Sequence, residues 1–123
     1  MKEFQYNKVT PEIIEQLKEA APGHVTVGSD INQDFGHDEM EIYGTSMPDV
    51  LVEPLTTEEV AAVMKICNDN KIPVTPSGAR TALTGGPVSI LGGVMISLSK
   101  MNKILDYDTD NFVVRVQPGV LLQ

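Results

Sequence analysis

Thr75-Pro76-Ser77-Gly78-Ala79-Arg80-Thr81-Ala82-Leu83-Thr84-Gly85-Gly86 follows the short apolar stretch Ile72-Pro73-Val74. Gly78, Gly85 and Gly86 carry no Cβ, so the backbone there can take positive φ and approach a ligand closely. Successive N–H groups in such a loop can converge on one anion. Ser77, Thr81 and Thr84 add hydroxyl donors and Arg80 adds a planar cationic fork, which together are what phosphate oxygens require. The run reads as a pyrophosphate cradle. Glycine-rich loops are also common as plain connectors, so composition alone leaves both readings open.

Two better-known glycine loops are excluded. No lysine follows the second glycine, as G-x-x-x-x-G-K-[ST] demands, and the spacing fails G-x-G-x-x-G. Both of those loops open a helix. Here Pro87-Val88-Ser89-Ile90-Leu91-Gly92-Gly93 leads into Val94-Met95-Ile96-Ser97-Leu98, an apolar run of strand length. The loop therefore lies between strands.

Upstream, Val50-Leu51-Val52 stands between Pro48 and Pro54 and is too continuously apolar for a one-sided surface strand. Thr56 and Glu59 fit a capping box, and Val60, Val63, Met64 and Cys67 recur on one helical face until Asn68-Asp69-Asn70. Strand, helix, strand and loop in that order predict a right-handed βαβ crossover, with the strands at 50–52 and 73–75 parallel. Further upstream, Thr10-Pro11-Glu12 starts a helix whose face is Ile13, Ile14, Leu17, Ala20 and Ala21, and Pro22-Gly23 ends it. His24 precedes Val25-Thr26-Val27 and reads as a packed or exposed side chain.

Residues 30–41 nearly match a calcium loop, with Asp30, Asn32, Asp34, Asp38 and Glu41 at ligand positions. The glycine required at position 6 is instead Phe35, with Gly36 one place late, and no metal site is expected. The expectation is a short helix capped by Ser29 or Asp30, then a solvated acidic loop with His37 exposed. Downstream of the strand at 94–98, Ser99–Asn102 forms a turn. Ile104–Tyr107 and Phe112–Val116 then flank the polar Asp108-Thr109-Asp110-Asn111, a hairpin pattern. Pro118-Gly119-Val120 supplies a second close-approach glycine, and Val120–Gln123 begins a new apolar element.

At 123 residues and 41% hydrophobic content, one globular domain fits. A net charge of −8 with nine scattered basic residues argues against nucleic acid, whose phosphates are met by clustered Lys and Arg. Cys67 is the one cysteine and suits packing in a reducing compartment. The N-terminal residues show no signal-peptide core and no run of membrane-span length occurs, so a soluble, cytoplasmic chain is expected.

Four blocks, P-D-V-L-V-E-P-L-T-T-E-E-V, N-K-I-P-V-T-P-S-G-A-R-T-A-L-T-G-G, G-G-V-M-I-S-L-S-K-M-N-K-I-L and V-R-V-Q-P-G-V, occur in this order. From about residue 45 to 123 the chain resembles the N-terminal part of FAD-linked oxidases of the vanillyl-alcohol-oxidase and p-cresol-methylhydroxylase type. Within them it is most similar to the glycolate oxidase flavin subunit and to D-lactate dehydrogenases. The resemblance implies an α/β (α+β) fold, the first subdomain of the FAD-binding domain: a short parallel βαβ sheet with a C-terminal hairpin, flanked by helices. Residues 1–44 would form an N-terminal helical region and 45–123 that subdomain, without the second subdomain or the substrate domain.

By the same resemblance, Pro76, Ser77, Gly78, Ala79, Arg80 and Thr81 wrap the FAD pyrophosphate. Gly85 and Gly86 hold the loop's return, and Pro118, Gly119 and Val120 make a second contact near the adenosine half. Ser77 stands where many relatives carry Arg, and Arg80 where many carry Gly. Either Arg80 is strained at positive φ, or its guanidinium replaces the charge missing at 77; the second is the expectation. No histidine follows His37, so these residues and their surroundings imply noncovalent FAD.

The implied parent reaction removes hydride from the Cα of a small 2-hydroxy acid, glycolate or D-lactate, while a base takes the hydroxyl proton. Those groups belong to the family's later domains. No catalytic residue is assigned, and the chain is expected to be a fragment or part of a split protein, inactive alone. It would self-associate or meet an electron-acceptor subunit. A stand-alone nucleotide or phosphate module without redox activity is the alternative. The reductase of peptidoglycan precursor synthesis shares the fold, but its loop usually carries Ser-Asn where this chain has Arg80-Thr81.

Overall fold

The computed structural model describes residues 5–121, with Glu41 described by its backbone alone. The side chain of Glu41, and the Leu122-Gln123 end of the expected apolar element, lie outside the described residues. The elements are α1 (Pro11–Ala20), β1 (Val25–Val27), β2 (Val50–Val52), α2 (Thr57–Asp69), β3 (Val74–Ser77), β4 (Val94–Ser97), β5 (Ile104–Asp108) and β6 (Val113–Val116). Short 3-10 turns at Gly28–Asp30, Gln33–Gly36 and Glu41–Tyr43 fill the segment between β1 and β2.

One sheet has the order β1-β2-β4-β3, with β2 and β3 both parallel to β4 and β1 antiparallel on the edge of β2. The strands at 50–52 and 74–77 thus run parallel as expected, with β4 inserted between them. Alternation along the strands divides the core. Val50, Val52, Val94 and Ile96 face a cluster with Ile13, Leu17 and Ala21 of the α1 region and Val63, Cys67 and Ile72 of the α2 region. Leu51 and Met95 face the opposite way, onto Ile31, Phe35 and Met47. Both faces of β2 and β4 are covered, which is why their sequences are continuously apolar. Each fully buried side chain here, such as Leu17 or Val52, contributes about 1.5–3 kcal/mol. Pro76 lies in β3, an edge strand, where a missing N–H is tolerated.

The helix ends follow the sequence, with differences. Thr10 caps α1 by accepting from Ile13 N–H, and Thr56 caps α2 by accepting from Glu59 N–H at 3.2 Å. The reciprocal bond of the capping box goes elsewhere: Leu55 N–H donates to Glu59 Oε2 at 3.2 Å. Met64, expected on the packed face of α2, is exposed, because the buried stripe narrows to Val63 and Cys67. No α-helix forms over 28–36. Asn32 rather than Ser29 or Asp30 supplies the cap, accepting from Asp34 N–H at 2.9 Å.

The hairpin of β5 and β6 forms a separate two-stranded sheet. Its turn is held by Asp108, which accepts from the Asn111 backbone at 3.1 Å and side chain at 2.8 Å. Those bonds hold the Asp108 carboxyl below its ordinary range. No helix among the described residues is long and apolar enough to cross a membrane.

Candidate functional site

Parallel strands present their carboxyl ends together, and in open α/β sheets ligands bind there. The glycine loop leaves the carboxyl end of β3 at Ser77, and the chain after β4 turns back over the same end. Leu98 N–H donates to Ser77 O at 2.7 Å, joining the two strand ends. Gly119 then packs where a Cβ would collide with the carbonyl oxygens of Leu98 and Met101, and its N–H donates to Met101 O at 2.8 Å. A Cβ on Gly78 would lie 3.6 Å from Pro118 O. Two segments with 36 residues between them, 76–81 and 118–120, are thereby brought side by side.

Two clefts result. One, about 420 Å³, is lined by Pro76 through Ala82 with Gly86 and Pro87. The other, about 350 Å³, runs between Ala79-Arg80 and Gly119-Val120 and adds Ser99 and Asn102. The last two were missed by sequence reasoning, which saw only a turn at 99–102. Nothing in the local pattern signals them, because their place depends on how the chain returns over β4.

The loop is rich in unpaired donors. Among the described residues, no N–H from Gly78 to Thr84 makes a hydrogen bond within the protein. Ser77 Oγ is buried without a partner. A buried hydroxyl without an acceptor costs free energy unless something else accepts from it, and the half-buried or exposed amides of 78–84 are open to solvent or to a ligand.

The loop's return is fixed by Asp38. This carboxylate, expected in a solvated acidic loop, is 4% exposed. Its Oδ2 accepts from Gly85 N–H at 2.7 Å and its Oδ1 from Met40 N–H at 2.8 Å. Gly85 has φ +77, and a Cβ there would meet the Tyr43 ring at 2.9 Å, so glycine is required twice over. Asp38 and Tyr43 were also missed, since their partner lies 47 residues on in the case of Asp38.

Arg80 adopts φ +62, the left-handed region. The strained backbone, ranked second at the sequence level, is thus realised, at about 1–2 kcal/mol for a residue with a Cβ. Its guanidinium lies over Phe35, with Cζ 4.4 Å from the ring centroid. On that side a cleft of about 410 Å³ is lined by Ala79, Arg80, Asp34, His37, Asp38 and Glu39. His37 is exposed as expected, but the structure corrects its separation from the loop: it shares this cleft with Arg80. Its Nδ1 lies 2.9 Å from Asp38 O. A carbonyl only accepts, so Nδ1 carries the proton. Among the described residues no three His, Cys, Asp or Glu side chains converge as metal ligands.

Comparison with known proteins gives this geometry a family. The family described as FAD binding domain matches residues 48–123. D-lactate dehydrogenase of Anaerostipes hadrus is 71% identical over 122 residues, 99% of this chain and 26% of that protein. Glycolate oxidase subunit GlcD of Bacillus subtilis is 38% identical over 76 residues, 62% of this chain and 16% of that protein. A crystal structure of p-cresol methylhydroxylase with substrate bound matches with a TM-score of 0.68 and 27% identity over 89% of this chain and 22% of that one. The chain therefore spans about a quarter or less of the length of these relatives. With the parallel sheet, the two helices and a family match covering more than half its length, the chain belongs to the FAD-binding-domain family and its cofactor is FAD.

Proposed function

We propose that residues 76–81 hold the pyrophosphate of FAD, with Gly85 and Gly86 closing the loop and Pro118, Gly119 and Val120 meeting the adenosine half. The parent protein is then a flavoprotein oxidoreductase acting on a small 2-hydroxy acid of the D-lactate or glycolate kind. The observation that carries the site is the run of N–H groups from Gly78 to Thr84 without protein acceptors, beside the partnerless Ser77 Oγ. A pyrophosphate offers many acceptor oxygens and negative charge, and so fits a donor set of this kind. Arg80 adds the positive charge. The relatives named as D-lactate dehydrogenase and glycolate oxidase support the substrate class, and a phosphate module without redox activity is not favoured.

When bound, FAD supplies the hydride acceptor. The residues of this chain bind and orient it: amides and hydroxyls take the pyrophosphate, and Gly119 keeps the backbone close to the sheet end. None is assigned as acid or base. Binding in this reading is noncovalent.

The test is an FAD titration of the protein followed by flavin fluorescence, with AMP and pyrophosphate as competitors. Saturable binding relieved by pyrophosphate is expected, and Arg80→Ala should weaken it about tenfold, the value of one charge-assisted bond. Binding insensitive to both pyrophosphate and Arg80→Ala would move the anion site away from this loop.

A further inference from the structure

We propose that Phe35 is a positioning residue for Arg80, holding the guanidinium by its face so that its N–H donors stay free for the cofactor's anion. The inference rests on the pyrophosphate reading above and assigns the means by which Arg80 serves it. Asp34, Asp38 and Glu39 line the same cleft as Arg80, and any of them would be an ordinary partner for a guanidinium. Yet the ion pairs among the described residues are Lys18–Glu15, Lys65–Asp69 and Lys100–Glu53. The Asp38 carboxylate is engaged by Met40 and Gly85 N–H groups. Arg80 instead lies on Phe35, 4.4 Å from its ring centroid.

The chemistry of the two partners differs in the way that matters. A carboxylate takes donors from the edge of the guanidinium and neutralises it. An aromatic face attracts the cation through the ring quadrupole and takes none of the five in-plane N–H donors. Arg80 keeps both charge and donors at the rim of the loop. The platform is itself fixed: Phe35 N–H donates to Asn32 O at 3.1 Å, and the ring packs on Ile31, Leu51 and Met95. Without it, the left-handed backbone at Arg80 would leave a long side chain free to turn to the acidic wall.

The experiment is a double-mutant cycle in FAD affinity with Phe35→Leu and Arg80→Met, read by flavin fluorescence at two salt concentrations. Phe35→Leu keeps apolar volume on the Leu51–Met95 cluster and should weaken FAD binding about fivefold. In the Arg80→Met background it should cost nothing further, and it should flatten the salt dependence only where Arg80 is present. An equal loss in both backgrounds overturns the proposal while leaving the pyrophosphate reading intact. Arg80→Met with unchanged affinity overturns the role of Arg80 in that reading and Phe35 with it. Should Phe35→Leu fail to fold, trifluorophenylalanine at position 35 keeps the shape and removes the negative ring face. The same loss is then expected, and unchanged affinity again overturns the proposal.

Discussion

Replacing Asp38 by asparagine tests whether one buried carboxylate shapes the glycine loop. Both oxygens are used, Oδ1 by Met40 N–H at 2.8 Å and Oδ2 by Gly85 N–H at 2.7 Å. Asparagine retains one acceptor and sets an NH₂ against the other N–H, so a bond is lost and a donor faces a donor. A hydrogen bond to a charged group contributes about 1.5–3 kcal/mol, so Asp38→Asn should destabilise by about 2–3 kcal/mol. For a chain of this size that lowers Tm by roughly 10 °C. Gly85 would also be released from the Tyr43 ring, and FAD binding would have to order it again. At about 1–2 kcal/mol per ordered residue, affinity should fall about tenfold. Differential scanning calorimetry and a fluorescence titration read the two effects, with the exposed Asp34→Asn as control, expected within about 0.5 kcal/mol of wild type. A Tm for Asp38→Asn within about 2 °C of wild type, with unchanged FAD affinity, would refute the anchoring role.

Arg80→Gly should be more stable than Arg80→Ala by about 1 kcal/mol in chemical denaturation, because φ +62 strains alanine and not glycine, yet both should bind FAD about tenfold more weakly. Equal stability of the two would mean the backbone relaxes out of the left-handed region. Gly119→Ala places a methyl group on the carbonyls of Leu98 and Met101, and should cost about 2 kcal/mol or more while abolishing tight FAD binding; a variant with wild-type melting and affinity argues against the close approach. Burial pushes the Cys67 thiol from 9.0 up to about 11. The unfolded thiol ionises first, so its stabilising effect is complete below about pH 9 and is lost as pH rises through about 11, a difference of roughly 2–3 kcal/mol. Denaturation midpoints from pH 8 to 11 should show this fall in wild type and lack that component in Cys67→Ala.

Much of the architecture was legible because its causes are local. Thr10-Pro11 and Thr56 mark helix starts through caps that act within three residues, and both helices begin there. Val50–Val52 announced a strand covered on both faces and Val94–Ile96 a strand, each by an unbroken apolar run. Asp108–Asn111 announced a hairpin through side chains that bond their own turn. The errors fall where a residue's environment comes from elsewhere. Asp38 looked solvated because its neighbours in sequence are acidic, but its partner is Gly85. Met64 matched the helical period and still faces outward, since the sheet covers only part of that stripe.

The order of strand, helix, strand and glycine loop, and the donors that a pyrophosphate needs, were readable along the chain, because periodicity, caps and donor chemistry are properties of residue types at short spacing. What surrounds those donors came from the folded arrangement. It set β4 between β2 and β3, laid Gly119 against the strand ends, tied Gly85 to Asp38 and stood Arg80 on Phe35. These are contacts between segments tens of residues apart, selected by the packing of the whole sheet, and no local pattern encodes which of the possible partners a side chain will meet.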